Sequence, residues 1–245
     1  MDKRAVLFDM DGVIVDSELY MQGVLAQFFR EETEYPEEKL DLNAFIGSSG
    51  EESIWRKVFR QIDGEPDFGE LNRRLREYIG RRPIPYASYV MEGAGELFAW
   101  LKAEGYRTGL ASSSSLASIR RMLGECGFKD RFDCILSGEM FRESKPNPEI
   151  YNRLAEKLGV EKKDCVIVED SHYGIEAGLN AGIDTVALRD TRFGIDQSNA
   201  GYFIDSLGDL KGLLLRSVSR RPGRIEEPPI QPGLPLFGKN CPKEE

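Results

Sequence analysis

Short apolar runs alternate along this chain with stretches whose apolar residues recur every three or four positions. The runs are Ala5-Val6-Leu7-Phe8, Thr108-Gly109-Leu110-Ala111, Cys165-Val166-Ile167-Val168 and Thr185-Val186-Ala187-Leu188, with weaker versions at Cys134-Ile135-Leu136 and Tyr202-Phe203-Ile204. A run this short and this apolar reads as a strand buried on both faces. Between the runs, Leu97, Phe98 and Leu101 share a helical face closed by Gly105, and Leu116, Ile119 and Leu123 share one closed by Gly127. Pro148 opens a third, with Ile150, Tyr151, Leu154 and Leu158 before Gly159. Proline inside the start and glycine past the end are helix punctuation. Strands alternating with helices pair in parallel and bury both sheet faces, so the pattern predicts a three-layer α/β core.

Residues 17–86 interrupt this alternation. Met21, Val24, Leu25 and Phe28 have helical spacing, as do Ile54, Trp55, Val58, Phe59 and Ile62, and again Phe68, Leu71, Leu75, Tyr78 and Ile79. No strand pattern lies among them. The expectation is an all-helical domain at 17–86, returning through Pro83-Ile84-Pro85, inserted into a core made of 1–16 and 87–216. From about Ser217 prolines and glycines dominate, and 217–245 is expected to be a disordered tail.

The chain carries 42 acidic and 33 basic residues, a net charge of −9. Its mean field repels phosphate backbones and anionic membranes, which argues against nucleic acid and membrane partners. An anionic ligand would need positive charge supplied locally. None of the four cysteines forms a CxxC pair, and Cys134 and Cys165 sit in strand runs, the pattern of reduced core thiols. The apolar run after Met1-Asp2-Lys3-Arg4 is too short for a signal peptide or membrane span. The expectation is a cytoplasmic protein, with nothing that demands more than a monomer.

Four polar clusters follow strand runs, where parallel α/β sheets bind ligands. Asp9-Met10-Asp11-Gly12 puts two carboxylates at a strand tip. One suits a nucleophile toward phosphorus and the other a proton donor and acceptor, although Asp-Gly is also an ordinary turn. Ser112-Ser113-Ser114-Ser115 offers hydroxyls and main-chain N–H groups to a phosphate, or else caps a helix. Lys145, ahead of Pro146 and Pro148, supplies the missing cation or is an exposed loop lysine. Glu169-Asp170 offers hard oxygen ligands suited to Mg²⁺, and Asp170 equally suits a helix cap.

In joint order these clusters resemble the haloacid dehalogenase superfamily. Phe8-Asp9-Met10-Asp11-Gly12-Val13-Ile14-Val15-Asp16-Ser17-Glu18 is similar to its first motif, Ala111-Ser112 to its second and Lys145-Pro146 to its third. Glu169-Asp170 with the following Gly174 to Gly182 stretch is similar to its fourth. The resemblance runs from residue 4 to about 190. It implies a Rossmann-like core, and the inserted helices look like the small cap of the β-phosphoglucomutase and phosphoglycolate phosphatase branch. It also implies roles. Asp9 would be the nucleophile and Asp11 the general acid–base. Ser112, Ser113 and Lys145 would bind the phosphoryl group. Mg²⁺ would be held by Asp9, the Asp11 main-chain carbonyl and Asp170, with Glu169 as ligand or neighbour. The implied substrate is a small phosphorylated metabolite such as a sugar phosphate.

Asp11 argues within that superfamily for phosphoester chemistry, because a halide leaves without a proton. Sugar phosphomutases of the branch typically place a histidine ten residues after the acid–base aspartate, where this chain has Met21. Their first cap loop tends to be basic, whereas Gly47-Ser48-Ser49-Gly50-Glu51-Glu52 is acidic. Both departures favour a phosphatase over a mutase. His172 reads as a solvated or capping residue, and Arg73, Arg74, Arg76, Arg81 and Arg82 as a solvated helix face. A non-catalytic binding protein would have lost one of these motif residues; its one remaining support is Pro228 to Phe237 as a docking segment.

Overall fold

The computed structural model describes residues 3–45, 52–62, 64 and 66–218. Six strands, β1 (Ala5–Phe8), β2 (Arg107–Ser112), β3 (Cys134–Ser137), β4 (Cys165–Glu169), β5 (Asp184–Leu188) and β6 (Tyr202–Ile204), form one sheet in the order β3-β2-β1-β4-β5-β6. Every pairing is parallel. β1 is central, and the chain builds outward on one side of it before crossing to the other. Ligands bind at such a switch point, outside the carboxyl ends of the strands.

Alternate β1 side chains serve two cores, as a period of two requires. Val6 and Phe8 pack with Leu97, Phe98 and Leu101 of α4 (Ala94–Ala103), Ile119 and Leu123 of α5 (Leu116–Glu125) and Leu210 of α8 (Asp209–Val218). Ala5 and Leu7 pack with Tyr151 and Leu154 of α6 (Glu149–Leu158) and with Ala177 of α7 (His172–Ala181). Each large side chain so buried contributes about 1.5–3 kcal/mol.

Between β1 and α4 the described residues are helical or irregular, with a core of their own. α1 (Ser17–Glu32), α2 (Glu52–Val58) and α3 (Phe68–Gly80) meet through Phe28, Phe29, Trp55, Leu71, Leu75 and Tyr78. α2 ends at Val58, short of the expected Ile62. Ile62 instead follows a turn in which its N–H donates to Phe59 O at 2.9 Å, and it still packs against this core. The insertion joins the sheet through a two-stranded neck: Asp16 N donates to Tyr89 O at 2.7 Å and Met91 N to Ile14 O at 2.9 Å. This pairing lies just past Pro83-Ile84-Pro85.

α8 runs to Val218, and the remainder of the expected tail lies outside the described residues, as do Gly47 to Glu51 and Cys241. Cys126, Cys134 and Cys165 form no disulfide among the described residues. Among the described residues no helix is long and apolar enough to cross a membrane.

Candidate active site

Strand register brings the four clusters together. Phe8 lies opposite Leu110 on one side and Val168 on the other. The next residues, Asp9, Ala111 and Glu169, therefore leave neighbouring strand tips at the same height. Asp9 N donates to Val168 O at 3.0 Å, which carries the ladder one residue further. Met10 is fully buried, and Gly12 turns the chain with φ +79°. A Cβ at position 12 would overlap the Asp170 carboxylate, so glycine alone permits that approach.

Lys145 lies at the centre of these tips. Its Nζ stands 2.5 Å from Asp9 Oδ1, 2.7 Å from Glu169 Oε1 and 3.2 Å from Ala111 O, over the ring of Tyr151. Burial pushes the Asp9 carboxyl up to about 8, against the opposing pull of Lys145 and with Glu169 adding to the rise. Burial works against the Lys145 charge, but Asp9 and Glu169 more than offset it and hold its pKa well above the usual value.

Glu169 is fully buried and its oxygens are heavily used. Oε1 accepts from Lys145 and, at 2.7 Å, from the Tyr151 hydroxyl. Oε2 accepts from Asp170 N at 3.1 Å, Ser171 N at 3.3 Å and Ser171 Oγ at 3.1 Å. α7 comes this close because position 174 is glycine, where a Cβ would overlap the Glu169 carboxylate. Ser171, not Asp170, caps α7, accepting from Gly174 N at 3.0 Å. The Asp170 carboxylate is thereby left for something else. Its Oδ1 is buried with no hydrogen-bond partner among the described residues, and burial beside Glu169 and Asp9 holds its pKa well above the carboxylate range.

Carboxylate oxygens of Asp9, Glu169 and Asp170 all lie within 4.8 Å of one another. Three gathered acids, one with an orphaned oxygen, face a single ammonium group. That donor set fits a hard divalent cation such as Mg²⁺. The Asp11 carboxylate lies outside this cluster. Its Oδ1 accepts from Ser17 Oγ at 2.6 Å and its Oδ2 from Ser114 Oγ at 2.8 Å. Burial raises its pKa, while those two hydroxyls pull it back.

Ser112 is fully buried and accepts from Ser114 N at 3.0 Å, whereas Ser113 is exposed, its main chain against Gly138. Ser115 is the residue that caps α5, accepting from Ser118 N at 3.1 Å. His172 lies apart, half-buried at the start of α7 with Nδ1 at 3.1 Å from Asp196 O. Arg73 pairs with Glu70 and Glu77 on the surface of α3. Tyr151 and Ser17 are site residues to which the sequence pattern assigns no chemical role, and Ser114, one of the serines read as phosphate donors or helix cap, donates instead to Asp11. The signal for Tyr151 is a buried tyrosine in the first turn of α6, five residues past Pro146, since a buried hydroxyl needs a partner.

A family model described as haloacid dehalogenase-like hydrolase matches residues 6–188. The chain is 28% identical over 225 residues to a phosphoglycolate phosphatase of Nitrosococcus oceani, covering 87% of this chain and 97% of that one. It is 30% identical over 194 residues to a β-phosphoglucomutase of Bacillus subtilis, covering 76% and 83%. Its fold superposes with a TM-score of 0.69 and 25% identity on a HAD family hydrolase of Deinococcus radiodurans solved with bound phosphate and sodium, covering 91% and 99%.

Proposed function

The chain belongs to the haloacid dehalogenase-like hydrolases, and from that premise we propose that it is a Mg²⁺-dependent phosphatase of a small phosphorylated metabolite, a sugar phosphate or similar ester. The observation that carries the reading is the Asp9 carboxylate, 2.5 Å from the Lys145 ammonium and beside the unpartnered Asp170 Oδ1.

Asp9 and Asp170, with the Asp11 main-chain carbonyl and Glu169 at its edge, would hold Mg²⁺. When bound, the cation neutralises charge on the phosphoryl oxygens and on the gathered acids. Asp9 attacks phosphorus, forming the bond to its carboxylate as the ester oxygen departs. Asp11 gives that oxygen its proton, then takes one from the water that cleaves the aspartyl phosphate. Lys145 supplies the cation that the acidic chain otherwise lacks, and Ser112 and Ser113 donate to phosphoryl oxygens from the tip of β2. In phosphoryl transfer, positioning and charge neutralisation of this kind carry most of the catalysis. The helical insertion between β1 and α4 would act as a cap that excludes competing water.

The β-phosphoglucomutase relative supports a second reading, in which the phosphoryl group returns to another hydroxyl of the same sugar. A panel of phosphorylated metabolites assayed for free phosphate, with and without a sugar bisphosphate activator, separates the two. Free phosphate with unisomerised sugar supports the phosphatase, and isomerised product the mutase. Asp9→Asn should lower turnover on the order of 10⁴-fold or more. Wild-type turnover in that variant removes the nucleophile assignment.

A further inference from the structure

We infer that Gln197 is a positioning residue for Asp170, setting the direction in which that carboxylate meets the metal. The inference rests on the reading of Asp170 as a metal ligand.

Gln197 lies between β5 and β6, 8% exposed. Its Nε2 donates to Asp170 O at 2.6 Å and to Leu188 O at 2.8 Å, and its Oε1 accepts from Asp190 N at 3.3 Å. Both amide hydrogens and the amide oxygen are therefore employed, tying the tip of β4 to the end of β5. On the other side of residue 170, its N–H donates to Glu169 Oε2 at 3.1 Å. The main chain of Asp170 is thus held at both its N–H and its C=O, while its Oδ1 has no partner among the described residues. A carboxylate without hydrogen bonds of its own points where its backbone and its packing send it. Gly12 supplies the packing; Gln197 and Glu169 fix the backbone.

The segment carrying Gln197 is itself anchored. Arg192 Nη2 reaches Asp190 Oδ2 at 2.6 Å, and Arg192 Nη1 and Nη2 reach the Asp16 carboxylate at 2.6 and 3.0 Å. Gln197 is consequently held against the strand tips from a braced loop. Groups that orient metal ligands in this way typically cost 10–100-fold in metal affinity when removed.

The test is calorimetric titration of the full-length protein with MgCl₂, alongside thermal unfolding. Gln197→Met keeps the side-chain length and removes all three hydrogen bonds; Gln197→Asn is the milder variant, too short to span both carbonyls. The control is Thr108→Val, which removes the hydrogen bond from Thr108 Oγ1 to Arg131 O at 2.6 Å, at the opposite end of β2 from the strand tips. The expected result is Mg²⁺ binding weakened about 10–100-fold in Gln197→Met, less so in Gln197→Asn, and unchanged in Thr108→Val. Should Gln197→Met not fold, Gln197→Asn decides. Wild-type affinity in the folded Gln197 variants overturns the inference and leaves a loop brace only. If wild type and Asp170→Asn both give no binding heat, the metal reading itself fails and takes the inference with it.

Discussion

Ser114 Oγ donates to Asp11 Oδ2 across 2.8 Å, although 103 positions separate the two residues. With Ser17 on the other oxygen, both sides of the Asp11 carboxylate, the proposed acid–base, accept hydrogen bonds. Such bonds favour the charged form, while burial favours the neutral one, and burial prevails. Removing a donor should therefore raise the Asp11 pKa further. In Ser114→Ala, the alkaline limb of the kcat/KM profile, where Asp11 loses the proton it must donate, should move to higher pH. Profiles measured on a generic phosphate ester check this. A limb that stays in place, or moves to lower pH, contradicts the assignment of Asp11 as acid.

Lys145→Met should separate catalysis from folding. The ammonium is the one cation touching both Asp9 and Glu169 among the hydrogen bonds of this site. Losing a preorganised donor at developing charge costs about 10²–10³-fold in turnover. Leaving the buried Asp9 without its cation costs about 3–5 kcal/mol of stability in Mg²⁺-free buffer near pH 8. Urea unfolding measures the second effect, and it should shrink at pH 5, where Asp9 takes up a proton. A variant as stable as wild type at pH 8 would show that the acids are not held by this lysine.

Tyr151→Phe removes one hydroxyl and nothing else. Glu169 Oε1 then loses its 2.7 Å donor but keeps Lys145. A buried hydrogen bond of this kind is worth about 1–3 kcal/mol when one partner is left behind. The expected outcome is a loss of that size in urea unfolding, with KM less affected than kcat because the ring that lies under Lys145 remains.

How much of this could be read from the chain follows the physics of each signal. Apolar runs marked all six strands, most clearly β1, β2, β4 and β5, whose burial on both faces leaves little freedom in composition, and more weakly β6, where Tyr202 and Phe203 are exposed. The acids at the tips were legible because they interrupt those runs. Glu169 beside Asp170 offered no way to tell which acid carries the free oxygen; that depends on Ser171 taking the cap and Tyr151 and Lys145 taking Glu169. Tyr151 was hidden because its position also satisfies the apolar face of α6, where Ile150, Leu154 and Leu158 lie with it. Gln197 gave no signal at all. It stands in an irregular stretch, where neither periodicity nor punctuation distinguishes a fully bonded buried amide from a solvated one. Ile62 was placed on the right face but in the wrong element, since a turn can hold a side chain to the same core as a helix.

Without metal, the gathered acids make the stability of the protein depend on pH. Burial raises the pKa values of Asp9, to about 8, and of Asp11 and Asp170. The folded chain therefore binds protons that the unfolded chain releases, so stability falls as pH rises. This contribution is fully present below the ordinary carboxylate pKa near 4 and is lost progressively up to about pH 8. Lys145 does not oppose it in this window, because its own pKa lies well above the usual lysine value. Melting of the metal-free protein should thus occur at lower temperature at pH 8 than at pH 5.5, each 1 kcal/mol lost being worth about 2–4 °C for a chain of this size. Mg²⁺ would bind the same acids in their charged form. At 100 times its dissociation constant it should restore about 2.7 kcal/mol at pH 8, and less at pH 5.5, where protons compete. Thermal scans with and without MgCl₂ at the two pH values provide the measurement. An equal Mg²⁺ shift at both, or a metal-free protein that grows more stable toward pH 8, would mean that these carboxylates are already charged and compensated without a cation.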